Sequence, residues 1–271
     1  MKKLLFLFSA GTLLLSCHRK SENLAQKFKP IIDGVWVKSS YIKAILQTKS
    51  PYSSREKLGG VASMIIELPT DNADSTRIGY SLNNHEGSDF ILYVKEGLKK
   101  TSLKTTLPDY DQKSNFYELG YSIRHKDTVL ILYHYNKLEK LLDKTFYTRV
   151  AHKAMDENEA AWGIRFITNK ILITGEYSVV DTTKNSVAVE FSNDGKVSGF
   201  PDFKTFYINT DFNAGPENNI DEIIFDSDTK APKPYTFRFK SDSLFLYGEK
   251  HNADSTELIT GDLSYKLVRQ K

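Results

Sequence analysis

The chain holds a single cysteine in 271 residues, so it contains no intramolecular disulfide and no multi-cysteine metal site. Its six histidines are scattered, with no His-Glu-x-x-His and no pair spaced for one helix face, and a zinc centre is not indicated. Gly-x-Ser-x-Gly, the P-loop and Gly-x-Gly-x-x-Gly are all missing. The commonest nucleophile and nucleotide signatures are thus excluded. Long apolar runs are also scarce. The longest, residues 4–15, would span only about 18 Å as a helix, against roughly 30 Å of hydrocarbon core.

What is present is a folding composition: 40% hydrophobic and 26% charged residues, with 15 Tyr and 16 Phe. Such a chain buries a core and is not disordered. Residues 18–150 carry 21 Lys and Arg against 15 Asp and Glu, whereas residues 151–271 carry 14 against 19. Opposite signs in the two halves favour their association or an orientation at a membrane, and they give no reason to expect nucleic-acid binding.

The N-terminus runs Met1-Lys2-Lys3, the apolar stretch, Ser16 and then the lone Cys17, the tripartite layout of an export signal. Leu14, Ser16 and Cys17 resemble the signal of bacterial lipoproteins, although Leu15 stands where a small residue is commoner. The resemblance covers residues 1–17. It implies cleavage before Cys17 and attachment there of a diacylglyceryl group and a further acyl chain such as palmitate, which together anchor stably. His18, not Asp, follows the cysteine, which by the same resemblance implies the outer membrane of a cell envelope. Residues 18–30 are polar and read as a tether.

From residue 61 onward, short runs rich in Tyr, Phe, Val and Ile are separated by turn residues, as at 61–68, 76–82, 116–123, 129–135, 187–191, 235–239, 244–247 and 263–268. This is strand patterning. Residues 164–167 and 171–180 read as further strands, Asn193-Asp194-Gly195 as a hairpin turn, and 240–242 as another. One helix is expected over 39–48, where Tyr41, Ile42, Ile45 and Leu46 share a face, and a shorter one over 137–142. The fold class is therefore all-β and mostly antiparallel, with one or two short helices. A single soluble barrel of about 14 strands would be too wide to fill, so two consecutive barrel units are expected, over residues 31–151 and 158–271.

Gly34-Val35-Trp36 resembles the Gly-x-Trp opening of lipocalin-type barrels. In that family the tryptophan closes one barrel end beneath an arginine from the last strand. The resemblance implies Arg149 as partner if the barrel closes in the first half, and Arg269 if the whole chain forms one barrel. Trp162, 107 residues before Arg269 much as Trp36 is 113 before Arg149, marks the second half, although Ala160-Ala161-Trp162 lacks the glycine. A lipocalin-like unit implies binding of an apolar or amphipathic small molecule, with a cavity of about 300 Å³ or more. A filled barrel with an outward aromatic face implies instead an accessory subunit that docks on an envelope protein complex.

Two further clusters bear on chemistry. Asp211, Asn213, Glu217 and Glu222 supply oxygens at calcium-loop spacing, but Gly215 and Pro216 break the EF-hand pattern, and a solvated acidic loop is the default. Asn83-Asn84-His85-Glu86-Gly87 is polar and turn-like. No residue pattern assigns catalysis or a cofactor, and a hydrolase built from distant carboxylates or histidines is the third reading.

Overall fold

A computed structural model describes residues 24–70, 73–125, 127–156, 159–180, 186–213 and 218–270. The signal and Cys17 lie outside these residues. Two antiparallel eight-stranded barrels follow one another. The first is a closed meander of β1 (Gly34–Lys38), β2 (Val61–Ile66), β3 (Ser75–Leu82), β4 (Glu86–Glu96), β5 (Ser102–Thr105), β6 (Phe116–Arg124), β7 (Asp127–Tyr135) and β8 (Leu141–Ala151), in which β8 returns to β1.

The second contains β9 (Gly175–Val180), β10 (Ser186–Phe191), β11 (Val197–Ser198), β12 (Phe206–Ile208), β13 (Glu222–Phe225), β14 (Lys233–Lys240), β15 (Ser243–His251) and β16 (Leu258–Arg269). Its first and last strands pair, as in the first barrel. Its remaining seam, between β11 and β12, is joined by the bridge Lys196–Thr205 and by backbone bonds from Val197 to Lys204 and from Phe206 to Gly195.

Alternation along the strands fills both barrels. Trp36, Met64, Tyr80, Leu119, Leu132 and Tyr147 point into the first, and Tyr177, Phe191, Phe225, Phe237, Leu246 and Leu267 into the second.

Among the described residues there are four α-helices, more than the one or two expected. α1 (Leu24–Ile32) takes up much of the segment expected to be a tether. Phe28 and Ile32, on one face at i, i+4, are fully buried in the first core, with Phe28 edge-on to Tyr121 at 5.3 Å. α2 (Ser39–Thr48) spans the expected 39–48, and α3 (Pro51–Ser54) follows at once, with Ser50 as its N-cap. Residues 137–142 form no helix and belong to the β7–β8 hairpin, where Asn136 Oδ1 accepts the amides of Leu138 and Lys140.

α4 (Trp162–Leu172) replaces the strand expected over 164–167 and the start of the one over 171–180. Its isoleucines have strand propensity, but the spacing of Ile164, Thr168, Ile171 and Leu172 is helical, and packing on both barrels decides the outcome. Gly163 allows that packing, since a Cβ there would lie 2.6 Å from Val35 Cγ1. Ile164 joins Val37, Tyr41 and Ile45 outside the first barrel, while Leu172 and Ile173 plug the second. Tyr41 Oη also meets Thr168 Oγ1 at 2.9 Å.

Candidate functional site: two barrel locks and one open mouth

Each barrel is closed at the end where its leading helix enters, and the two closures are alike. In the first, Gly34 holds φ +133° and Trp36 is fully buried. The Arg149 guanidinium lies 4.8 Å from the Trp36 ring centre. The indole Nε1 donates to Ile32 O at 2.7 Å, and Arg149 Nη2 donates to Ile31 O. A Cβ on Gly34 would fall 2.8 Å from Ala151 O, so the turn from α1 into β1 requires glycine there.

In the second barrel Gly175 holds φ +134°, Tyr177 is buried, and the Arg269 guanidinium lies 4.9 Å from the Tyr177 ring centre. Arg269 donates to Thr174 O at 2.7 Å, to Leu172 O at 2.9 Å and to the Tyr177 hydroxyl. In both barrels an arginine of the last strand thus caps the carbonyls that end the leading helix, while stacking on an aromatic two residues after a glycine.

Trp36 meets Arg149, the partner expected for a barrel that closes in the first half, and the correction falls on Trp162. Trp162 sits on α4 and stacks on Phe166 at 4.8 Å, packed beside Val35 and Ala154 of the first barrel's periphery. The residue matching Trp36 is Tyr177, in Gly175-Glu176-Tyr177. The Gly-x-aromatic pattern thus recurs in the second half with tyrosine in place of tryptophan.

The opposite end of the first barrel is open. A hollow of about 210 Å³ is walled by Tyr80, Leu82, Leu107, Tyr117, Leu132 and Tyr147 and edged by Lys38, Asp109, His134 and Asp143. Its rim is tightly built. Asp109 Oδ1 accepts the amides of Asp111 at 2.9 Å and Gln112 at 3.0 Å. Asp109 Oδ2 accepts Asn115 Nδ2 at 2.8 Å and meets His134 Nε2 at 2.8 Å. The Gln112 amide, then Asn115, with His134 and Asp111 adding, holds the Asp109 carboxyl down to about 2.

The His134 ring stacks on Tyr117 at 4.4 Å. Lys38 Nζ donates to Gly59 O, and burial lowers its pKa against the opposing field of Asp143. Tyr147 Oη donates to Val61 O at 2.8 Å, and burial pushes that phenol far up. The bond to Asp109 fixes the orientation of the His134 ring at the rim.

The three described calcium-loop residues, Asp211, Asn213 and Glu222, turn to different partners. Asp211 Oδ2 pairs with His85 Nδ1 at 2.8 Å, and Asn213 Nδ2 donates to Asn83 O at 2.9 Å. Glu222 turns to Asn209, and Glu217 lies outside the described residues. The loop instead joins the barrels: Asn84 Nδ2 donates to Thr210 O at 2.7 Å, Tyr52 N to Asp221 Oδ1 at 2.8 Å, and Tyr52 meets Phe212 edge-on. The polar 83–87 turn is part of this junction. Among the described residues no three His, Cys, Asp or Glu side chains gather to hold a metal, and no helix is long and apolar enough to cross a membrane.

No protein-family model matches this chain, and no curated protein or solved structure is significantly similar to it.

Proposed function

We propose that the chain is a lipid-anchored envelope protein whose first barrel is lipocalin-like and binds a small amphipathic molecule at its mouth. The observation that carries this reading is the mouth itself. It is a concave part of the first barrel's interior that the core leaves unfilled, and it sets aromatic and leucine walls beneath a rim of Lys38, Asp109 and His134. At about 210 Å³ it is smaller than the 300 Å³ expected of a full carrier cavity. The ligand is therefore held by its ring or head group, with any long chain outside. The glycine–aromatic–arginine lock at the other end supports the lipocalin-like reading. Membrane attachment rests on Cys17, and the outer membrane on His18 following it.

The test is binding of a fluorescent amphiphile such as N-phenylnaphthylamine to the purified chain, compared with Thr145→Trp, which fills the mouth from its edge. Saturable binding weakened about tenfold or more in the variant, equivalent to about 1.4 kcal/mol, is the expected result. Equal binding by both proteins would refute a site at the mouth.

A second reading, an accessory subunit docking on an envelope complex, is favoured by one observation. Phe116, Tyr133, Tyr135 and Phe146 form an aromatic row on the outer face of β6–β8, in which Tyr133 and Tyr135 are buried and Phe116 and Phe146 are partly exposed, with Phe116 stacked on Tyr135 at 5.5 Å and Lys99 and Lys144 over the Tyr133 and Phe146 rings. Aromatic side chains are what protein interfaces enrich.

A further inference from the structure

The carboxyls of Glu222 and Glu249 lie close enough to act on each other. Two half-buried carboxylates side by side repel each other, and a cation between them would offset that repulsion. The two lie across the outer face of β14. Glu222 of β13 stands opposite Thr236 of β14, and Thr236 stands opposite Tyr247 of β15, two residues before Glu249. Ile223 beside Glu222, Phe237 beside Thr236 and Leu246 beside Tyr247 point into the core, so Glu222, Thr236 and Tyr247 face outward in one row, and Glu249 follows two residues further along β15.

Thr236 lies between the two acids, is only 3% exposed, and its hydroxyl has no hydrogen-bond partner. One buried oxygen of Glu249, Oε1, is also unpartnered. The loop before β13 roofs the pair. Asn209 Nδ2 donates to Asn218 Oδ1 at 2.9 Å and to Glu222 Oε2 at 3.3 Å, and Asn219 exchanges hydrogen bonds with the Leu258 backbone at 2.9 and 3.1 Å.

We propose that Glu222, Glu249, Thr236 and Asn218 form a site for a hard divalent cation, calcium in kind, on the outer wall of the second barrel. The donors are all oxygen: two carboxylates, a hydroxyl and an amide carbonyl. Calcium accepts such a flexible set and completes its shell with water, whereas magnesium demands near-ideal octahedral geometry. Burial disfavours the charge on both carboxyls, and a cation bound between them would offset that cost. Of the four residues at calcium-loop spacing, only Glu222 belongs to this set. The adjoining Asp221 accepts the Tyr52 amide of the first barrel, so cation binding would stiffen the loop that joins the barrels.

The test is calorimetric titration of the EDTA-treated full chain with calcium chloride, and separately with magnesium chloride, alongside thermal unfolding. With two carboxylates, half-saturation is expected at about 0.1 to 1 mM calcium, with weaker magnesium binding and a calcium-dependent rise in Tm. Glu249→Gln should weaken calcium binding about tenfold or more while its Tm in EDTA is no lower than wild type. Thr236→Val, which keeps the shape and removes the hydroxyl, should weaken it several-fold in a folded chain. No calcium binding by the wild type up to about 10 mM, or an identical response in all three proteins, would overturn the site.

Discussion

Arg269→Met removes the second barrel's lock while leaving an unbranched apolar stem over Tyr177. The guanidinium now satisfies Leu172 O and Thr174 O, the carbonyls at the end of α4, and the Tyr177 hydroxyl. An acceptor stranded away from water costs about 1 to 3 kcal/mol. A hollow of about 210 Å³ borders Leu172, Tyr177 and Arg269, so water reaches these groups and the lower end applies, about 1 kcal/mol for each carbonyl. Loss of the cation from the Tyr177 ring adds about 0.5 to 1 kcal/mol.

The total is about 3 kcal/mol. If the barrels unfold together, that lowers Tm by roughly 6 to 12 °C for a chain of this size. Arg269→Lys keeps the charge but can serve only part of the fork, so it should lose about half as much. Urea unfolding followed by circular dichroism and tryptophan fluorescence measures both. A Met variant within about 0.5 kcal/mol of wild type would refute the lock as a source of stability.

Trp36→Ala removes a fully buried indole and its bond to Ile32 O, and should destabilise by about 3 to 5 kcal/mol in the same urea assay; an unchanged transition would contradict its place in the first core. The Asp109 carboxyl is held below its unfolded value. Its contribution is therefore complete above about pH 4 and is lost as pH falls towards about 2. Near-ultraviolet circular dichroism of wild type and Asp109→Asn should diverge above that window and converge below it, and parallel acid profiles would refute the assignment. Cys17→Ser should release the protein from membranes into the soluble fraction, and retention would contradict lipid anchoring.

The strand-rich meander is legible in the sequence because its runs are short, aromatic and punctuated by turn residues, and α2 is legible because Tyr41 and Ile45 repeat at helical spacing. The approach of Arg149 to Trp36 follows from pairing the first strand with the last. α1 was hidden because Lys27, Lys29 and Pro30 make residues 24–32 look solvated, although Phe28 and Ile32 face the core.

α4 was hidden by its isoleucines, whose strand propensity yields to packing between two barrels. The second lock was obscured because tyrosine does there what tryptophan does in the first. Neither the Asp109–His134 rim nor the Glu222–Glu249 pair is local in sequence. Each is assembled by strand register and by a loop folding back, and a linear pattern carries neither.

Native mass spectrometry of the protein taken from its host's envelope, run beside Thr145→Trp prepared in the same way, tests binding at the mouth most directly. A small amphipathic adduct on the wild type, absent from the variant, is the expected result. A bare polypeptide mass in both, or a stoichiometric protein partner in both, would contradict it and transfer the function to the aromatic face of β6–β8.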